Sequence, residues 1–224
     1  MPRNIILSLS LLFAVLVTNV VSAQTVTSYF ESELLTQVLH NVQALQLGKV
    51  GAIVDKFDTS KNWDWIIEEG SLPEYTNAVT QMSAKGAYTV IDMDKLKFAT
   101  ELSIARTIIH EMVHAHLLLS FLYNNVNASL EYPGIVRAWA ATLTPDYNAI
   151  QHQEMAESFV DDIAMSLKEY NNNENRFTDS SVYTDLAWGG LDFENNESLN
   201  DDDRKHIETT LAKAQLNGLG RLTQ

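Results

Sequence analysis

The stretch Thr100-Glu101-Leu102-Ser103-Ile104-Ala105-Arg106-Thr107-Ile108-Ile109-His110-Glu111-Met112-Val113-His114-Ala115-His116, running on to Tyr123, decides how this chain is read. Leu102, Ala105, Ile108, Ile109 and Met112 recur at helical spacing on one side. Ser103, Arg106, Thr107, His110 and His114 fall on the other. Thr100 has the hydroxyl of an N-cap, and Glu101 places a negative charge in the first turn, where the helix dipole favours it. The spacing predicts a long helix over 100–123 with a core face and a polar face, ended by Asn124-Asn125.

His110-Glu111-Met112-Val113-His114 is an H-E-x-x-H segment. On a helix, positions four apart lie only about 40° apart, so the two imidazoles can meet one metal ion. Two neutral nitrogen ligands with an open position suit catalytic zinc, Zn2+. Glu111 lies about 100° round from His110, within reach of a water whose pKa the metal lowers, and is the candidate general base. The plainer alternative is a pair of histidines on a polar helix face, satisfied by their neighbours.

A third ligand must come from elsewhere. His116 points about 160° away from His114. Leu117 and Ser120 stand where the metzincin pattern requires Gly and His, and no Asn-Glu-x-x-Ser-Asp segment follows. A second long helix is predicted over 146–170, with His152 in its apolar stripe beside Met155, Ala156 and Phe159. Glu154, Glu157 and Asp161 fall on its flank or wet side. His152 is therefore the favoured third ligand and Glu157 the alternative. Glu157, Asp161 and Asp162 are candidates to accept the second N–H of a metal-bound histidine.

Around these helices the pattern is mixed. Residues 27–47 have helical spacing, with Gly48 as a C-cap. Val50–Phe57 is a strand candidate. Asn62–Ile67 alternates, with Trp63, Trp65 and Ile67 on one side, and Ala87–Met93 is another strand candidate. Region 48–98 is thus expected to form a small, antiparallel sheet. A short helix is expected between Pro133-Gly134 and Pro145, a polar break at 171–175, a packed loop at 180–193, and a last helix over 203–216 opened by Asp201-Asp202-Asp203. The fold class is α+β: one domain in which a small antiparallel or mixed sheet packs against two long metal-binding helices.

Composition narrows the function. The 224 residues contain no cysteine, which excludes disulfides, a Cys-ligated zinc module and a cysteine nucleophile. Fifteen basic against 29 acidic residues give a net charge of −14, which disfavours nucleic acid as a partner. Residues 1–23 have the pattern of a signal peptide: Arg3, an apolar run from Ile5 to Val17, and Val21-Ser22-Ala23 before a cleavage point at Gln24. Cleavage leaves a domain at 24–224, removes one arginine and no acid, and takes the charge from −14 to −15. The chain is expected to be exported, with no stable membrane anchor after cleavage.

Thr107 to Ala115, together with Asn77-Ala78, Leu102-Ser103-Ile104-Ala105, the later His152 with Met155-Ala156, and Leu186-Ala187-Trp188-Gly189-Gly190-Leu191, resembles the exported zincin-like metallopeptidases of Bacteroidetes-type bacteria, which are described as SprT-like. The similarity covers roughly residues 60–192. It implies a zincin-type α+β fold, His110, Glu111 and His114 in their usual roles, and His152 as third ligand. SprT-type proteins place the third histidine closer to the motif than the 38 residues between His114 and His152. The expected activity is peptide-bond hydrolysis by a secreted zinc enzyme on a peptide or protein substrate, with the strand Ala87–Met93 pairing with the substrate and Arg106 or Tyr147 stabilising the oxyanion. The alternatives are a non-catalytic metal-binding protein, favoured by a fourth ligand such as Glu157, and a surface interaction module using Trp63 and Trp65.

Overall fold

The computed structural model describes residues 26–60, 63–123, 147–172 and 179–215. Along them run β1 (Val26–Tyr29), α1 (Glu33–Gln43), α2 (Gly48–Thr59), β2 (Trp65–Glu69), β3 (Ala78–Ser83), β4 (Gly86–Ile91), α3 (Met93–Leu96), α4 (Glu101–Tyr123), α5 (Tyr147–Ser158), α6 (Val160–Asn171), α7 (Ser181–Ala187) and α8 (Asp201–Gln215). The class is α+β. The expected leader at 1–23, the helix end at Asn124-Asn125 and the short helix before Pro145 lie outside the described residues.

The sheet has the order β1-β2-β4-β3. β1 pairs parallel with β2, and β2 parallel with β4, aligning Trp65 with Ala87. β3 and β4 pair antiparallel, from Ala78 opposite Ile91 to Ser83 opposite Gly86. A parallel pair needs a crossover, which α1 and α2 supply between β1 and β2, whereas two residues suffice to turn β3 into β4. The sheet is therefore mixed, not antiparallel throughout. β4 is central, and β3 is an edge.

Four expectations are corrected here. The predicted helix over 27–47 is a strand followed by a shorter helix, capped at its start by the Ser32 hydroxyl accepting from the Leu35 amide. Gly48 does not close that helix; it opens α2, and the predicted strand Val50–Phe57 is that helix. The amides at the start of α2 bond to distant acids: Gln46 and Leu47 donate to Glu169, and Lys49 to Asp162. The predicted helix 146–170 is two helices broken at Phe159, whose backbone leaves the helical region (φ −127°, ψ −11°). The Ser158 carbonyl there accepts from Lys49 Nζ at 2.6 Å, and the Phe159 ring is buried beneath that cation.

Helix α4 forms as predicted. Thr100 Oγ1 accepts from the Ser103 amide at 3.1 Å, completing the N-cap. Its environment differs from the amphipathic expectation, because every residue from Leu102 to Ser120 is buried. The sheet, α1, α2, α6 and α8 all pack on it, so its polar face looks into the protein. A helix enclosed on all sides holds polar groups only where they have partners or a function. Trp63 and Trp65 are buried core residues, against the idea of an exposed aromatic surface. Gly189-Gly190 forms the turn that follows α7, so the expected loop at 180–193 is in part helical.

Candidate metal centre

His110 and His114 project from the enclosed side of α4, and His152 reaches them from α5. Nε2 of His114 lies 3.1 Å from Nε2 of His110 and 3.1 Å from Nε2 of His152. Each of the three offers a ligand atom within 4.8 Å of the others. Nitrogens held at about 2.0–2.1 Å from one tetrahedral ion sit roughly 3.3 Å apart, close to this spacing. The three histidines are close enough to bind one metal ion. His110 and His114 are buried and His152 is half-buried.

The donor chemistry fits as well. Gln151 Oε1 faces His114 Nδ1 at 2.5 Å. An amide oxygen only accepts, so Nδ1 carries the proton and the Nε2 lone pair is free for a metal. Burial holds all three imidazoles neutral: it carries His110 well below its ordinary pKa, aided by its histidine neighbours, takes His114 down to about 4, and lowers His152. Gln151 thus takes the place that Glu157, Asp161 or Asp162 was expected to fill at His114. Its residue type and its spacing from His152 give no advance sign of that role.

Glu157 does not join the cluster; its Oε1 accepts from Gln153 at 2.9 Å. Glu154, expected on the flank or wet side, is buried and accepts from Ser158 Oγ at 3.0 Å. His116 points away, as the helix geometry requires, and packs its ring on Trp63 with centroids 5.2 Å apart.

Glu111 is buried in the same cavity of about 510 Å³ as the three histidines. Its Oε2 accepts from Thr80 Oγ1 on β3 at 2.6 Å. Behind Thr80 a line of donors crosses the sheet: Trp65 Nε1 bonds Thr89 Oγ1 at 2.8 Å, and Thr89 Oγ1 lies 2.6 Å from Thr80 Oγ1. Thr80 has one hydroxyl proton and gives it to the Glu111 carboxylate, so Thr89 donates to Thr80 while accepting from the indole, and the line ends on the carboxylate. Burial pushes the Glu111 carboxyl up to about 7, against the Thr80 bond and the charge of Arg106. This line was not foreseen; alternation placed Trp65 in the core, but cross-strand partners depend on register.

The cavity has a floor and a rim. Gly190 (φ +89°) sits against the His110 ring, where a Cβ would lie 3.0 Å from Cε1. Arg106, one turn before His110, donates from Nη1 to the Gly189 carbonyl at 3.2 Å. The side chain of Tyr147, the other expected oxyanion donor, lies outside the described residues. β3 lines the opposite side through Ala78, Val79 and Thr80.

No protein-family model matches this chain, and no curated protein or solved structure is significantly similar to it.

Proposed function

We propose that the chain is a secreted zinc metallopeptidase of zincin-like architecture that hydrolyses peptide bonds. The observation that carries this is the convergence of three histidine Nε2 atoms beside the Glu111 carboxylate in one open cavity. His110, His114 and His152 would hold the metal. Bound there, zinc would supply an acidified water and a Lewis acid for the substrate carbonyl. Glu111 would serve as general base and then as proton donor to the leaving amine. Thr80 keeps the carboxylate turned toward the cavity.

The edge strand supports a peptide as the substrate. β4 was the expected partner of the substrate chain, but it is paired on both sides, by β2 and β3. Among the described residues β3 has one unpaired edge, and it lines the cavity, so an extended peptide can add to it with its scissile bond over the histidines. The acidic charge of the chain disfavours a polyanion as substrate. No helix among the described residues is long and apolar enough to cross a membrane; export rests on the leader pattern at 1–23. A fourth protein ligand would favour the non-catalytic alternative, and among the described residues no carboxylate joins the three histidines.

The test is to express residues 24–224, measure bound metal, and follow cleavage of a peptide library with and without a chelator, beside Glu111→Gln. One zinc per chain and cleavage lost in both controls is expected. Zinc binding without any cleavage that depends on Glu111 sinks the enzyme assignment.

A further inference from the structure

Arg106 carries a charge that the hydrolytic mechanism does not use. It is only 8% exposed. Its Nη1 has the Gly189 carbonyl, its Nε is buried with no hydrogen-bond partner, and no ion pair among the described residues includes it. Burial draws its pKa down to about 10, and the negative charge of Glu111 works against that, so the guanidinium stays protonated at neutral pH. Glu111 offsets this charge without forming an ion pair with it, and a buried guanidinium that is only partly paired is ready for an anion from outside.

The setting is built for this side chain. A Cβ on Gly189 would lie 2.9 Å from Arg106 Cζ, so bare backbone lets the guanidinium press against the turn. Arg106 lines the same cavity as His110, Glu111 and His152. Four residues of helix separate Arg106 from His110 by about 6 Å along the axis, and one residue of extended peptide spans roughly 3.3–3.6 Å. A group bound at Arg106 is therefore one or two residues from a bond cut at the histidines. The planar fork of a guanidinium matches the two oxygens of a carboxylate.

We propose that Arg106 is a subsite for a substrate carboxylate placed one or two residues beyond the scissile bond, and that the favoured substrate is a peptide with a free C-terminus there. The position of the scissile bond rests on the peptidase proposal above; the binding of a carboxylate does not. A side-chain carboxylate at the same place is the other source of this chemistry.

The experiment titrates zinc-loaded Glu111→Gln protein with benzoyl-Gly-Phe, its C-terminal amide, and benzoyl-Gly-Asp amide, by calorimetry. The free acid is expected to bind at least about tenfold tighter than the amide, the size of one charge-assisted hydrogen bond. A metal ion attracts carboxylates by itself, so the contrast is read against the same protein carrying Arg106→Met, in which acid and amide should bind alike. Arg106→Lys should keep part of the preference. If changes at Arg106 prevent folding, as circular dichroism would reveal, Gly189→Ala displaces the guanidinium without deleting it and should weaken the preference too. Tight binding of the Asp amide supports the subsite with a side chain as its source. Equal binding of acid and amide, or none by either to the folded, zinc-loaded protein, overturns the proposal. So does a loss of cleavage in the single variant Arg106→Met, with Glu111 intact, that falls equally on acids and amides, which would place Arg106 at the oxyanion. Acid-selective binding without any cleavage by the unsubstituted chain would leave the subsite standing and remove the peptidase assignment alone.

Discussion

Thr80 and Gln151 orient the two side chains proposed as general base and metal ligand, Glu111 and His114. A carboxylate in a cavity has several rotamers, and the bond from Thr80 selects one, while the hydroxyl of Thr89 and the indole of Trp65 polarise that bond from behind. Glu111→Gln should lower kcat by about 10²- to 10⁴-fold with zinc content unchanged, the usual range for loss of a general base. Thr80→Val removes a hydrogen bond to a charged group, worth about 1.5–3 kcal/mol, and should cost roughly 10- to 100-fold in kcat, again with zinc content unchanged. Steady-state kinetics beside metal analysis separates the two effects; a Thr80→Val protein as active as the parent would show that the hydroxyl is structural only. Gln151→Leu leaves the three histidines in place but removes the acceptor that sets the His114 tautomer. It should weaken zinc affinity by about 10- to 100-fold in a competition titration with a chromophoric chelator.

At the scale of elements, the site is held between α4, α5, the edge strand β3 and the turn after α7. Gly190 shows how tightly that turn closes. It combines φ +89° with a close contact: a Cβ there would lie 3.0 Å from the His110 ring, which would have to shift by a few tenths of an ångström. Gly190→Ala should destabilise the fold by about 1–3 kcal/mol and reduce bound zinc, as measured by urea unfolding and metal analysis. The motif helix was legible in the sequence because its signals are local: periodicity, the Thr100 cap, and two histidines at a spacing that only a helix brings together. The position of His152 beside them was legible for a related reason, since a pair of candidate ligands calls for a third. Helix α2 was not, because the groups that receive its first amides are Glu169 and Asp162, more than a hundred residues further on. The break at Phe159 was hidden in the same way, in the reach of Lys49 to the Ser158 carbonyl. The short strand β1 merged with the helical periodicity that follows it, and β3, with a largely exposed face, has little apolar pattern to find. Sequence distance, more than residue type, separates what was foreseen from what was not.

For the whole molecule, enclosing α4 on every side places several histidines where protonation opposes folding. Burial takes His116 down to about 3 and His114 down to about 4, and lowers His110 and His152 too. An unfolded histidine titrates near 6.5. Below that pH the unfolded chain takes up protons that the folded chain refuses, so the slope of stability with pH is positive. Stability of the metal-free protein should thus be at its plateau above about pH 7 and fall as pH drops through 6.5 toward 4, by on the order of 1 kcal/mol per pH unit for each fully buried histidine. Zinc competes with protons for the same Nε2 atoms. At a hundredfold excess over its dissociation constant it should add about 2.7 kcal/mol at neutral pH, and progressively less as the medium becomes acidic. Urea midpoints at pH 8, 6.5 and 5, with chelator and with zinc, measure both effects. His116→Leu removes a buried titrating group outside the cluster; it should flatten the chelated profile and leave the gain from zinc intact. His152→Ala should abolish most of the gain from zinc. A chelated protein equally stable at pH 8 and pH 5 would contradict the burial of these histidines, and a gain from zinc that survives His152→Ala would move the third ligand elsewhere.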